Sequence, residues 1–215
     1  KKISRSKVLH HILSNGATSN NNNNNNHINK HALILVNCQN DFFENGSVPV
    51  PNASSILDKI KILRQHKFDL VIHCQEYRPG NDSSFYSNNP GSKPNEIQHF
   101  VGGRTQTIHE DYCVQGSYGA QFHSNIYIDP EDMIVRTGYN PEVDSYSAFR
   151  QSDTLIDVDG NDDNITELQY YLSSNNITHV YICGLGTDRT LQYTVLDAKE
   201  TMHKSHVFFI EDASK

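Results

Sequence analysis

Polar side chains follow several apolar stretches that are predicted to be β-strands, and these side chains are the first candidates for chemistry. Asn37 and Arg136 each follow one such stretch, and residues 76–82 and 184–190 follow two more. In open α/β sheets, ligands bind beyond the carboxyl ends of the strands. These four places hold amide, guanidinium, carboxylate and hydroxyl groups, which could bind a polar ligand or, where a base lies beside a hydroxyl, attack one. We therefore expect a small-molecule site at this edge.

The elements that must position these residues alternate along the chain. Apolar blocks occupy residues 32–36, 70–72, 133–135, 179–183 and 207–210. Apolar residues at helical spacing occur around residues 56–63, 165–172 and 191–202. Strands and helices in this order predict an α/β fold, a three-layer Rossmann-like parallel sheet with helices on both faces. The 215 residues fit one domain.

The N-terminal region differs in composition from the remainder. Residues 1–30 contain no acidic residue and include the asparagine run 20–26, which is typical of a flexible spacer. Residues 31–215 are predicted to form the folded domain, and the chain ends just after a predicted strand, which suggests a truncated C-terminal end.

Charge and cysteine usage narrow the possible partners. Lys and Arg number 18 against 25 Asp and Glu, so the net charge of -7 offers no basic footprint for nucleic acid. No apolar run approaches the length of a membrane span, so direct membrane insertion is not expected. The four cysteines lie far apart without a CxxC pair, which favours free thiols in a reducing compartment. The basic start of the chain is compatible with a mitochondrial or a cytoplasmic location.

Five blocks resemble the nicotinamidases of the isochorismatase-like cysteine hydrolase family. They lie in the family's order at residues 32–42 (ALILVNCQNDF), 46–50 (GSVPV), 113–120 (CVQGSYGA), 138–149 (GYNPEVDSYSAF) and 183–188 (CGLGTD). The resemblance covers nearly all of the chain beyond the asparagine run and implies the isochorismatase-like hydrolase fold.

The resemblance also implies a catalytic triad whose positions are altered here. In the family a cysteine thiolate attacks a carboxamide, an aspartate after the first strand moves the proton, and a lysine supports the thiolate; the matching positions hold Thr190, Asn37 and Arg136. A threonine hydroxyl needs a strong base beside it, and an asparagine amide does not take up protons. Arg136 keeps a positive charge but cannot give up a proton. We therefore expect none of the three to be catalytically active.

The positions that match the family's metal site are altered as well. They hold Glu76, Arg78, Asp82 and Tyr112. A zinc-like ion prefers imidazole and carboxylate ligands, and a cationic Arg78 beside it would repel it. The 12 histidines show no metal-ligand spacing. We expect no metal and no other cofactor.

Three functions remain possible on this basis. The favoured hypothesis is a nicotinamidase-like pseudoenzyme that serves as a structural or interaction subunit, with other protein subunits as partners in a homo- or hetero-oligomer. The second is a binding module for a nicotinamide-like ligand, held by six candidate residues: Asn37, Asp41, Arg136, Thr187, Asp188 and Thr190. The third is an active amidohydrolase that releases ammonia from a carboxamide with a different nucleophile.

Overall fold

A six-stranded parallel sheet forms the centre of the computed structural model, which describes residues 1–8, 10, 29–99, 105–151 and 165–215. In chain order the strands are β1 (Lys2–Ile3), β2 (His31–Val36), β3 (Leu70–Glu76), β4 (Ile97–His99), β5 (Thr105–Thr107), β6 (Met133–Thr137), β7 (His179–Gly184) and β8 (His206–Ser214). The main sheet has the order β1-β8-β7-β2-β3-β6 with every neighbouring pair parallel, and β4 and β5 form a separate antiparallel pair.

Helices cover both faces of this sheet. Helix α1 (Leu57–Leu63) packs with Leu33 and Leu35 on one face, and α2 (Glu167–Ser174) and α3 (Thr190–Thr201) pack with Ile34 on the other. Successive side chains of a strand point to opposite faces, so the uninterrupted apolar run of β2 supplies both cores at once. The predicted three-layer α/β architecture is confirmed.

The first residues of the chain join the sheet at its edge. Lys2 and Ile3 pair with Phe209 and Ile210 of β8, and Ile3 is buried in the core. Composition predicts a flexible extension over residues 1–30, whereas residues 2–3 add an edge strand because apolar side chains there can cover the end of the sheet. The asparagine run lies outside the described residues. None of the described helices is long and apolar enough to cross a membrane.

At the carboxyl edge of the sheet, one strand extends further than its apolar block predicts, and two strand ends approach each other closely. β3 continues beyond its apolar start and ends at Glu76, so that residue belongs to the strand. Gly184 ends β7 opposite Val36 of β2, and a Cβ atom at Gly184 would lie 2.1 Å from the Val36 carbonyl oxygen. This close approach requires glycine and fixes the spacing of the two strand ends from which the candidate site is built.

Candidate active site

Glu76 lies at the centre of the residues gathered at this edge. Its carboxylate is buried, with the residue 2% exposed. One oxygen, Oε1, accepts hydrogen bonds from Asn37 Nδ2 at 2.8 Å and from Thr190 Oγ1 at 3.1 Å. Three separate parts of the chain therefore place an amide, a carboxylate and a hydroxyl in direct contact.

Local backbone geometry explains how Asn37 and Thr190 reach Glu76. Asn37 follows β2 with a φ of 54°, the left-handed region that asparagine tolerates better than most residues, and its N–H bonds to the Cys74 carbonyl. Thr190 is the first residue of α3, and the preceding turn is closed by a bond from Leu191 N–H to the Gly186 carbonyl. The N–H of Tyr193 in the same first turn bonds to the Arg189 carbonyl, so neither it nor the N–H of Leu191 is free to bind a ligand.

Arg78 places a buried positive charge beside Glu76. Its residue is 1% exposed, and Nη1 lies 3.6 Å from Glu76 Oε2. The guanidinium also binds Asp82 through Nε at 3.0 Å and Asp144 through Nη2 at 2.5 Å. A buried guanidinium is costly in free energy unless it is paired, and here the carboxylates of the cluster balance its positive charge.

The balance of charge in this cluster shifts the ionisation of its members. Burial raises the pKa of Glu76, and Arg78 together with the hydrogen bonds to Asn37 and Thr190 opposes that rise without cancelling it. Burial also raises the pKa of Asp82, against the effect of Arg78. The effect of burial thus outweighs that of the guanidinium on the pKa of both Glu76 and Asp82. Glu76 is therefore a stronger base than an exposed glutamate.

A cavity of about 630 Å³ opens onto these residues. Glu76 and Thr190 are among its lining residues, and aromatic and imidazole rings form part of its wall. Among its lining residues are Asn37, Phe42, Glu76, His109, Tyr112, Tyr146, Arg189 and Thr190. A site with ring-lined walls and a few convergent polar groups suits a small aromatic ligand that carries a polar substituent.

Four of the six candidate ligand-binding residues line this cavity. Asn37 and Thr190 do so beside Glu76, and Thr187 and Asp188 line its rim. Asp41 does not line it, because its carboxylate accepts a hydrogen bond from the Cys113 N–H at 2.7 Å and serves the loop structure.

Arg136, the sixth candidate ligand-binding residue, does not line this cavity either. Its guanidinium lies over the Tyr77 ring at 4.3 Å and its Nε donates to Gln75 Oε1 at 2.9 Å. Val135 and Arg136 are neighbours on one strand and so face opposite sides of the sheet. Val135 packs on the side that carries α3, so Arg136 is directed to the other. The arginine that accompanies Glu76 is Arg78.

The positions that match the family's metal site do not fit a metal ion. The Arg78 guanidinium itself lies among Glu76, Asp82 and Tyr112, with its Nη1 2.6 Å from the Tyr112 hydroxyl. Within the described ranges, no group of three histidine, cysteine or carboxylate side chains could hold an ion.

From the sequence, Glu76 is predicted only to occupy an altered metal-site position, with no role as a base. The sequence does contain a signal, because Glu76 closely follows the predicted strand that comes next in the chain after the one preceding Asn37, and the two strands are neighbours in the sheet. Parallel strands bring their carboxyl ends to one edge, so the proximity of Asn37 and Glu76 could have been predicted. The approach of Thr190 could not, since it depends on the path of the loop before α3.

With this geometry established, the fold and the site residues define an isochorismatase-type α/β domain. The isochorismatase domain matches residues 31–215. The chain therefore belongs to the isochorismatase family.

Individual relatives point to one branch of that family. A nicotinamidase of Acinetobacter baylyi is 34% identical over 187 residues, which cover 87% of this chain and 82% of the relative. The structure of an Acinetobacter baumanii nicotinamidase/pyrazinamidase is 33% identical with a TM-score of 0.75, and the match covers 86% of this chain and 84% of the other. A Pyrococcus horikoshii pyrazinamidase, solved in complex with zinc, is 27% identical with a TM-score of 0.64 and 86% coverage of both chains.

These relatives contradict the hypothesis of a pseudoenzyme that acts as a structural subunit. The chain is similar over most of its length to proteins named for hydrolysis, at about one third identity. That hypothesis assumed that a base could stand only at Asn37. Glu76, on the neighbouring strand, supplies a carboxylate that accepts a hydrogen bond from Thr190 and can stand as the base.

Proposed function

We propose that this protein is an amidohydrolase of the nicotinamidase type, which releases ammonia from a small aromatic carboxamide. The observation that carries the proposal is the 3.1 Å hydrogen bond from Thr190 Oγ1 to Glu76 Oε1 at the wall of the cavity. The relatives named above support the substrate class, because they are nicotinamidases and a pyrazinamidase.

Thr190 is the nucleophile in this proposal and Glu76 is the base. A threonine hydroxyl attacks a carbonyl only when a base within hydrogen-bond reach removes its proton. Glu76 Oε1 meets that distance, and burial raises the pKa of Glu76 so that its carboxylate binds the proton more strongly than usual. Asn37 Nδ2 donates a second hydrogen bond to the same oxygen and helps to orient it.

The reaction follows in two halves. Glu76 takes the proton of Thr190 Oγ1 while Oγ1 bonds to the carboxamide carbon, and the carbonyl oxygen becomes an oxyanion. The N–H groups of Thr190 and Gln192, in the first turn of α3 at the positive end of the helix dipole, can donate to that oxyanion. Glu76 then returns the proton to the departing nitrogen, so the C–N bond breaks and ammonia leaves. Water, deprotonated by Glu76, cleaves the resulting ester and regenerates the hydroxyl.

The second oxygen of Glu76 is suited to the substrate's amide group. Oε2 is buried and, within the described residues, accepts no well-formed hydrogen bond. Its ion-pair partner, Arg78 Nη1, lies 3.6 Å away, so Oε2 can still accept a hydrogen bond from a carboxamide NH₂ group. This position would place the departing nitrogen beside the carboxyl group that must protonate it.

The proposal is tested by measuring ammonia and carboxylic acid together after incubation of the purified protein with nicotinamide and with pyrazinamide. We expect the two products in equal amounts from at least one substrate. Calorimetric binding of nicotinamide without any product would instead support the binding-module hypothesis and would contradict the proposed hydrolysis.

A further inference from the structure

Arg78 carries a permanent positive charge at the back of the site. It is among the largest fully buried side chains in the described part of the chain, at 1% exposure. Its guanidinium carbon lies 5.3 Å from the Phe85 ring centre and 4.9 Å from that of Tyr112, so aromatic rings flank the charge. Burial of this extent fixes the guanidinium in one place.

Nearly all of its hydrogen-bond donors are already used inside the protein. Nε binds Asp82 at 3.0 Å, Nη1 binds the Tyr112 hydroxyl at 2.6 Å, and Nη2 binds both Ser84 Oγ at 2.8 Å and Asp144 Oδ1 at 2.5 Å. Arginine has five N–H donors, so one remains, on the side of Glu76 Oε2. The guanidinium therefore acts on a ligand through its charge and not through a direct bond.

The carboxylates of Asp82 and Asp144 beside Arg78 are likewise bonded within the cluster. Asp82 Oδ1 accepts from both the N–H and the hydroxyl of Ser84, and its Oδ2 accepts from Arg78. Asp144 Oδ1 accepts from Arg78 and its Oδ2 from the Tyr146 hydroxyl. Every carboxylate oxygen of these two residues already accepts a hydrogen bond within the cluster, and a divalent cation would have to approach a fixed guanidinium.

We propose that the Arg78 guanidinium is the resident cation of this site and that it takes the place of a divalent metal ion, so the protein works without zinc there. The inference rests on the proposed function for its meaning in catalysis, but it is tested by metal binding alone. It contrasts with the Pyrococcus horikoshii pyrazinamidase, which was solved in complex with zinc.

The first test titrates zinc chloride into the full chain, after dialysis against EDTA, and measures heat and thermal unfolding. We expect that the protein does not bind one equivalent of zinc in a way that the Asp82→Asn variant loses. We also expect that removal of metal does not change the melting temperature. A heat of zinc binding that is equal in the unmodified protein and in Asp82→Asn comes from histidines elsewhere in the chain and agrees with the proposal. One equivalent bound by the unmodified protein and lost in Asp82→Asn would overturn it.

The second test asks whether the charge of Arg78 is what excludes the ion. Arg78→His removes the guanidinium, leaves Asp82 and Glu76 in place and adds an imidazole, so we expect this variant to gain zinc binding and to unfold at a higher temperature with zinc than without. Arg136→His, at an exposed arginine outside the cluster, is the matched control and should gain neither. A folded Arg78→His protein that binds no zinc would contradict the proposed role of the charge.

The two tests separate the outcomes for the two proposals. Metal binding is measured without substrate, so a protein that releases no ammonia can still confirm or contradict the role of Arg78. If Arg78→His does not fold, the titration of the unmodified protein against Asp82→Asn decides the question.

Discussion

Thr190 Oγ1 and Glu76 Oε1 lie 3.1 Å apart in a hydrogen bond, although 114 residues separate them in the chain. The bond joins the first residue of α3 to the last residue of β3 across the carboxyl edge of the sheet. It pairs a hydroxyl with a carboxylate whose pKa is raised by burial. This is the geometry of a nucleophile and its base.

Asn37 should set the pH at which Glu76 becomes active. Asn37→Gly removes the Nδ2 donor without backbone strain, because glycine accepts the φ of 54° at this position. Loss of a hydrogen bond to the ionised form raises the pKa of Glu76 further, and a base must be deprotonated to act. We expect the acid limb of the kcat/KM profile for ammonia release to move to higher pH, with a roughly tenfold lower rate near neutral pH.

Asn52→Gly is the matched control for this change. Asn52 also has a left-handed φ, of 58°, but it is exposed and does not line the cavity. The profile of Asn52→Gly should coincide with that of the unmodified protein. A profile of Asn37→Gly with an unmoved acid limb would exclude Glu76 as the titrating base.

Thiol reagents should leave the protein active. All four cysteines are buried, and burial raises the pKa of Cys38 to about 12 and that of Cys183 above its ordinary value. The reactive thiolate is therefore scarce, and access to it is blocked. We expect iodoacetamide at neutral pH to alkylate all four cysteines in urea but few in the native protein, as measured by mass spectrometry. Inactivation in step with alkylation of one cysteine would point to a thiol nucleophile instead.

His109 should make the fold less stable in mild acid. Burial lowers the pKa of His109 to about 4, against the attraction of Asp144. The unfolded chain, in which a histidine pKa is about 6.5, therefore binds more protons between these two values, and stability falls as the pH falls through that window. We expect the free energy of unfolding to lose about 2 kcal/mol from this residue between about pH 7 and pH 5.

The contribution of His109 is isolated by comparing variants, because Glu76 and Asp82 have raised pKa values and contribute a slope of opposite sign. His109→Gln should show a flatter fall in stability with acid than the unmodified protein, by denaturant unfolding at several pH values. His99→Gln, at an exposed histidine, serves as the control. Equal slopes in all three proteins would contradict the prediction.

Gly184 should be intolerant of any side chain. A Cβ atom there would lie 2.1 Å from the Val36 carbonyl oxygen, which is backbone and cannot move aside, and the φ of 134° disfavours other residues. We expect Gly184→Ala to lower the free energy of unfolding by about 3 kcal/mol or more, since it combines strain with a clash. Gly80→Ala, whose Cβ would meet only Val114 Cγ1 at 4.0 Å, should change it by about 0.5 kcal/mol at most.

The sheet could be predicted from sequence because its signal is local. The run from residue 32 to 36 is apolar on both faces and therefore fits a central parallel strand, as observed for β2 between β3 and β7. The helices follow from apolar residues at helical spacing, such as Ile60 and Leu63 of α1, which are buried. The parallel direction of the strands then follows from the alternation of strands and helices.

The site could be predicted only in part, because its residues meet through loops. The sequence places Asn37 and Thr190 at the correct edge but does not show that both reach Glu76. Arg136 was assigned to the site through its place after a strand, although the alternation of side chains beside the buried Val135 directs it to the opposite face. The burial of Arg78 depends on Asp82, Tyr112 and Asp144, which come from distant segments.

The most direct test of the proposed chemistry is ammonia release from nicotinamide by the purified protein and by two nearly isosteric variants, Thr190→Val and Glu76→Gln. Valine keeps the shape of threonine without its hydroxyl, and glutamine keeps the length of glutamate without its basicity. We predict turnover by the unmodified protein and a loss of about a hundredfold or more in kcat for each variant, with thermal unfolding confirming that both are folded. Turnover that persists in Thr190→Val and Glu76→Gln, or no turnover by the unmodified protein, would contradict the account.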